Sequence, residues 1–454
     1  MNQSNIDNIP DKKEHYRSII ILALPILVGQ LGMILTGFVD TWMIGNYSTL
    51  SLAAASYVNN LFNVAIFAII GFSYGLTPLV GIMFSRDEKN KIGETIKTGL
   101  LVNMLFAVIV IAIMSLIYFN IERLGPPAEL LELIRPYFLV YLAGLTFICI
   151  FNVFAQWSYG ITNTWIPMVI VMIANALNIL LNWLLIGGNM GFPEMGLIGA
   201  GIATLVARVL CAVLIIFSFC CLKVNREYFR GFIEGRVNSR SVGRINRTSW
   251  PVALQMIFES GSFSFAVFAV GIFLGVLNVA AYQVIVITGT LGFCIYYSLG
   301  SAVSVLVANK AGSGDSDEMR RVAFAGYHII LAVATLSSLT FIFFGRNLMG
   351  FLGNNPEVTA IAMTCIFPLV LYQYADATQI NFANALRGTS HVMPMLWIAF
   401  ISYVIVGVPT TWILTGYTSM GLFGTILSFS VSLFLAAALF LYFFMRSTRK
   451  NLPL

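Results

Sequence analysis

Long apolar runs, separated by short polar or Gly/Pro interruptions, fill the chain almost from end to end. In order they lie near 19–44, 53–84, 95–119, 134–157, 164–187, 196–222, 248–273, 281–308, 320–344, 358–385, 391–415 and 420–445. Each can form a helix of roughly 20 residues or more, the length needed to cross a hydrocarbon layer of about 30 Å. The pattern predicts an all-α integral membrane protein with twelve transmembrane helices. The polar opening MNQSNIDNIPDKKEHYRS leads into a long apolar run without a small-residue cleavage site, and reads as a retained first span.

The polar interruptions set the orientation. With the N-terminus in the cytoplasm, 21 of the 25 Lys and Arg residues fall in cytoplasmic segments. That bias predicts both termini in the cytoplasm. The net charge of +6 is therefore a topology signal, and no nucleic-acid partner is expected.

The apolar pattern also repeats. LPILVGQ (24–30) corresponds to WPVALQM (250–256), LAAASY (52–57) to NVAAYQ (278–283), and MGLIGAGI (195–202) to MGLFGTIL (420–427). The offsets stay at 225 to 226 residues and indicate duplication of a six-span unit. Six spans return the chain to its starting side, so two six-helix lobes related by a pseudo-two-fold axis along the membrane normal are expected. The expected division is an N-lobe over 1–222, a basic cytoplasmic linker over 223–247 and a C-lobe over 248–454.

Composition agrees: 59% of residues are hydrophobic, 10% are charged and the mean hydropathy is +0.88. The spans leave no stretch for a large soluble domain. All six cysteines fall in or beside apolar runs, where cysteine acts as a small hydrophobe, so neither a disulfide framework nor a zinc site is expected.

Against this background three acids stand out. Of 19 Asp and Glu residues, only Asp40, Glu259 and Asp376 lie well inside spans. An ionised carboxylate there costs about 2.5–3.5 kcal/mol on insertion scales. Arg208 is the one Lys or Arg well inside a span, and it can partner one acid but not three. Carboxylates that take up and release a cation, Na+ or H+, explain the set better than a purely structural role.

Helical spacing surrounds each acid with oxygen donors. Tyr372, Gln373 and Gln379 share one face with Asp376, and the Tyr372 ring also suits an organic cation. Glu259 has Gln255 and Ser262 one turn away, with Pro251 expected at the start of that helix. Asp40 has Thr36 one turn before it. Asn175, Asn178 and Asn182 form one face of a nearby span, and depth brings Asn182 and Thr204 to the level of Asp40. Asparagines on such a face also serve as interhelical glue.

Other classes fit less well. A flippase for lipid-linked precursors needs a basic cavity for its pyrophosphate. An intramembrane metalloprotease needs paired histidines, whereas His15, His328 and His391 are scattered. A scaffold does not explain buried acids, and no GxxxxGK[ST] loop for ATP is present.

FVDTWMIG (38–45), NALNILLNW (175–183), PVALQMIFESG (251–261) and YQYADATQINFANALRG (372–388), on a doubled six-span layout, resemble the multidrug and toxic compound extrusion (MATE) family, closest to its bacterial NorM-type branch. The resemblance spans essentially the whole chain. It implies a V-shaped transporter of the bacterial inner membrane that exports drugs in exchange for sodium or protons. Apolar walls with a few acids suit small cationic, amphipathic substrates, and two lobes in one chain suffice for transport, so a monomer with no cofactor and no enzymatic activity is expected. By the same resemblance, Glu259, Asp376 and Tyr372 form a C-lobe cation site, and Asp40, Asn178, Asn182 and Thr204 an N-lobe site. One departure matters: some relatives carry a second acid where this chain has Asn182.

Overall fold

The structure, a computed structural model, describes residues 12–125, 127–353 and 355–449. Most of the polar N-terminal stretch, through residue 11, lies outside the described residues, as does Lys450, which was counted among the basic loop residues. Among the described residues every regular element is helical. Eleven helices are long and apolar enough to cross a membrane, and a bent pair makes a twelfth span if taken as one. The chain is a multi-pass membrane protein.

The N-terminal half contains α1 (Lys12–Tyr47), α2 (Thr49–Ser73), α3 (Leu76–Ser85), α4 (Lys89–Phe119), α5 (Ala128–Gly160), α6 (Trp165–Ile186) and α7 (Gly196–Cys221). The basic segment that follows is largely helical, with α8 (Arg226–Glu234) and the start of α9 (Ser239–Leu274). Then come α10 (Val276–Gly312), α11 (Ser316–Gly353), α12 (Pro356–Thr364), α13 (Ile366–Gly388), α14 (Met393–Ala399), a π-helical stretch Phe400–Gly407, α15 (Val408–Gly416) and α16 (Gly421–Ser447).

Proline accounts for the irregularities. Its ring clashes with the carbonyl four residues earlier and it offers no N–H. Pro368 faces Thr364, where α12 ends, and the α12–α13 pair bends by 59°. Pro78 stands four residues after Tyr74, the break between α2 and α3. Pro409 follows the π-helical stretch. The expected span 358–385 is thus a broken one, because its proline lies near the start of α13 and not at the end of a run.

Pro251 corrects a second expectation. It lies inside α9, twelve residues after the first, because the helix begins in the basic segment at Ser239. Pro25 is likewise internal to α1.

Packing separates two compact units, Val28–Ile257 and a second that joins the described residues up to Leu27 to Phe258 and beyond. In the first, α5 packs on α2, α4 and α7, and α6 packs on α7. Its core includes Phe62, Phe138 and Tyr141, whose rings meet edge-on. Segment α8 is clamped to α4, where Lys97 Nζ donates to the carbonyls of Ile233 and Gly235 at 3.2 and 2.9 Å. In the second unit, α13 is central and packs on α10, α11 and α16. The start of α1 belongs there: His15 Nε2 lies 3.4 Å from Glu318 Oε2, and Tyr16 Oη 3.0 Å from His328 Nδ1. The packing division therefore falls within α1 and α9, whereas the duplication divides the chain at the basic segment.

Candidate functional site: two buried carboxylate clusters

The first cluster is built on α13. Its packing on three helices buries the polar face that carries Gln373, Asp376 and Gln379, each at most 2% exposed. A buried amide or carboxylate needs partners, and α10 and the π-helical stretch supply two. Tyr296 Oη donates to Gln373 Oε1 at 2.8 Å, and Gln379 Nε2 donates to Tyr403 Oη at 2.9 Å. Gly292 allows the first contact, since a Cβ there would stand 2.5 Å from Gln373 Oε1.

These bonds leave a remainder. Asp376 Oδ2 and Gln379 Oε1 are buried with no hydrogen-bond partner among the described residues. One helical turn apart, they are two acceptors without a donor. Glu259 of α9 lies within electrostatic reach of Asp376, and the hydroxyls of Tyr372 and Tyr403 lie within reach of both acids. Two neighbouring carboxylates in a low-dielectric setting repel unless a cation or proton joins them. Among the described residues no three His, Cys, Asp or Glu side chains converge, so a bound cation would also draw on amide and phenol oxygens.

Beside Asp376 the walls turn apolar. Tyr372 lines a cavity of about 160 Å³ together with Phe263, Phe293, Leu369, Ile426 and Phe429. The Tyr372 ring stands edge-on to Phe263 and Phe429, at centroid distances of 6.3 and 6.5 Å. Gln255 and Ser262, expected near Glu259, are both buried. Gln255 falls in the other packing unit.

The second cluster gathers the N-half residues. Asn182 and Asn178, on α6, are 0% and 2% exposed, and Asp40 of α1 is half-buried. Asn182 Nδ2 donates to Asp40 Oδ1 and also lies 3.1 Å from Asn178 Oδ1. Asn178 Nδ2 donates to Thr204 Oγ1 of α7 at 3.4 Å; with its amide turned, that nitrogen reaches Asp40 Oδ1 at 2.9 Å. All four predicted residues thus meet in one place. Thr36 does not join them, because its hydroxyl donates back to the Gly32 carbonyl. Asn175 packs against Gly32 on α1.

Sequence reasoning missed Tyr296 and Tyr403. With 18 tyrosines in the chain, periodicity does not separate those that face an acid from those that fill the core. A usable signal for Tyr403 is its helix, since local π-helical geometry is enriched at functional sites and Pro409 announces it.

Comparison with known proteins follows the duplication. The MatE family profile matches residues 25–184 and again 251–413, two copies starting 226 residues apart. A Vibrio parahaemolyticus protein described as "Multidrug resistance protein NorM" is 30% identical over 437 residues, covering 94% of each chain. Its Vibrio cholerae counterpart is 29% identical over 404 residues, 88% of each chain. Among solved structures, the eukaryotic MATE transporter AtDTX14 superimposes with a TM-score of 0.86 at 19% identity, covering 97% of this chain and 98% of that one. A Pyrococcus furiosus protein of the MOP superfamily, described as having a binding pocket of reverse polarity, gives the same TM-score and identity, with 97% of each chain covered. With both halves matched in full order and the relatives aligned nearly end to end, the chain belongs to the MatE family, the multidrug and toxic compound extrusion transporters, in its NorM-type branch.

Proposed function

We propose that this chain is a secondary active multidrug exporter of the bacterial inner membrane, with both termini cytoplasmic, expelling amphipathic organic cations in exchange for Na+ or H+ by alternating access. The observation that carries the reading is Asp376: a buried carboxylate with a bare oxygen, within electrostatic reach of Glu259, on the helix whose Tyr372 lines an aromatic-walled cavity. Relatives described as multidrug resistance proteins support the substrate class.

The chemistry follows from charge. Glu259 and Asp376 together favour one cation, with Gln379 Oε1 and the Tyr372 and Tyr403 hydroxyls completing an oxygen shell suited to Na+. A proton held on one carboxylate serves the same balance. The cavity lining attracts a flat hydrophobic cation through the Tyr372 face. In the outward-open state the coupling cation occupies the carboxylates and the drug leaves. The loaded transporter turns inward, releases the cation and accepts new drug. Coupling needs different affinities in the two states, since a ligand that binds both equally shifts nothing. Asp40, Asn178, Asn182 and Thr204 form the second cation-handling cluster in this scheme.

A flippase for an anionic pyrophosphate is disfavoured, because the side chains lining the cavity on α13 are uncharged. The test is ethidium efflux from energised vesicles, with sodium and proton gradients imposed separately. Export driven by either gradient supports the reading; no export under both sinks it.

A further inference from the structure

Arg208 is a full positive charge inside a span, and the coupling scheme above gives it no part. Its surroundings are specific. On α7 it stands one turn beyond Thr204, so it shares the face that meets Asn178. Its Cζ lies 4.6 Å from the centre of the Tyr141 ring on α5, a cation–π contact. Gly144, one turn further along α5, leaves a notch for it: a Cβ there would stand 2.5 Å from Arg208 Nη1. Tyr137, one turn before Tyr141 and 4.9 Å from it between ring centres, lies within electrostatic reach of both Arg208 and Asp40. Arg208 and Asp40 are also within reach of each other.

The two clusters therefore differ in charge count. The α13 cluster brings Asp376 together with a second acid, Glu259. The N-half cluster has one acid and one base. Beside Asp40 stands no second acid but Asn182, which donates to it. An arginine does not lose its proton in a protein and, anchored to α7, cannot leave as a coupling ion must.

We propose that Arg208 is the resident counter-charge of Asp40, so that the N-half carboxylate is balanced from within when its coupling cation leaves. The inference rests on the exporter reading for its consequence but not for its test. In this arrangement Arg208 is a positioning residue: it acts on the cation cycle through Asp40, and the Tyr141 ring and the Gly144 notch hold it in place.

The experiment is a double-mutant cycle on the purified full chain in detergent, read as melting temperature. The variants are Arg208→Met, Asp40→Asn and the pair together, with Arg208→Lys as the charge-keeping control. Each single change leaves one intramembrane charge without its counter-charge. The expected result is that both singles lower the melting temperature by several degrees, the pair loses clearly less than the sum, and Arg208→Lys retains more than Arg208→Met. Losses that simply add, or a lysine no better than the equally long methionine, overturn the proposal and leave Arg208 as packing for α5. Melting is read without transport, so failure of gradient-driven efflux in wild type counts against the exporter reading alone.

Discussion

Gln379 Nε2 donates to Tyr403 Oη at 2.9 Å, and this single bond turns Gln379 Oε1, an acceptor with no donor, onto the same helical face as Asp376. The amide orientation is thus fixed by a tyrosine on the π-helical stretch, 24 residues away.

Removing that anchor is the sharpest test of the oxygen shell. Tyr403→Phe deletes a hydrogen bond of net worth about 0.5–1.5 kcal/mol and frees the amide to turn. The concentration of coupling cation giving half-maximal efflux is expected to rise about three- to tenfold, with little change in ethidium KM. A variant with an altered KM and an unchanged cation dependence contradicts the assignment.

Gly292 tests the neighbouring bond. A methyl at this position overlaps Gln373 Oε1 at 2.5 Å and displaces the amide that Tyr296 holds. Gly292→Ala should destabilise the protein by about 1–3 kcal/mol, the range for overpacking. Thermal unfolding in detergent measures it, and an unchanged melting temperature refutes the contact.

Asn182→Asp reverses a donor. The asparagine now gives a hydrogen bond to Asp40; an aspartate there adds a second acceptor and a like charge. The variant is expected to unfold at a lower temperature than wild type in choline chloride and to recover in sodium chloride or at acid pH, where a cation or proton joins the pair. Equal stability in all three media rules this out.

Phe429→Ala separates drug from ion. Its ring lines the cavity beside Tyr372 and offers no oxygen to a cation. Loss of this buried aromatic should raise the ethidium KM several-fold and leave the cation dependence of efflux within about twofold, as expected for a residue that contributes binding alone.

Much of this was legible in the sequence because membrane solvation leaves few choices. Apolar runs must be helices, and an acid inside one must have a reason. Asp40 and Asp376 announce themselves that way, and spacing alone puts Gln373 and Gln379 beside Asp376. The meeting of Asp40 with Asn182 and Thr204 was legible from depth along antiparallel spans. What stayed hidden depends on contacts between distant segments. Tyr296 and Tyr403 look like any other buried tyrosine until α10 and the π-helical stretch are packed on α13. Proline effects stayed hidden too: Pro78 and Pro368 break spans that read as continuous, and Pro251 continues a helix whose start the polar segment concealed. The crossing of α1 and α9 from one packing unit to the other follows no local pattern.

The central claim is that Asp376 couples cation to drug, and one measurement addresses it most directly. Wild type and Asp376→Asn are compared in vesicles for gradient-driven ethidium efflux and for ethidium exchange without a gradient. The account predicts that the variant loses gradient-driven export by at least about 50-fold, a coupling loss of more than ~2 kcal/mol, yet still exchanges drug. Undiminished gradient-driven efflux in the variant would contradict it and return Asp376 to a structural role.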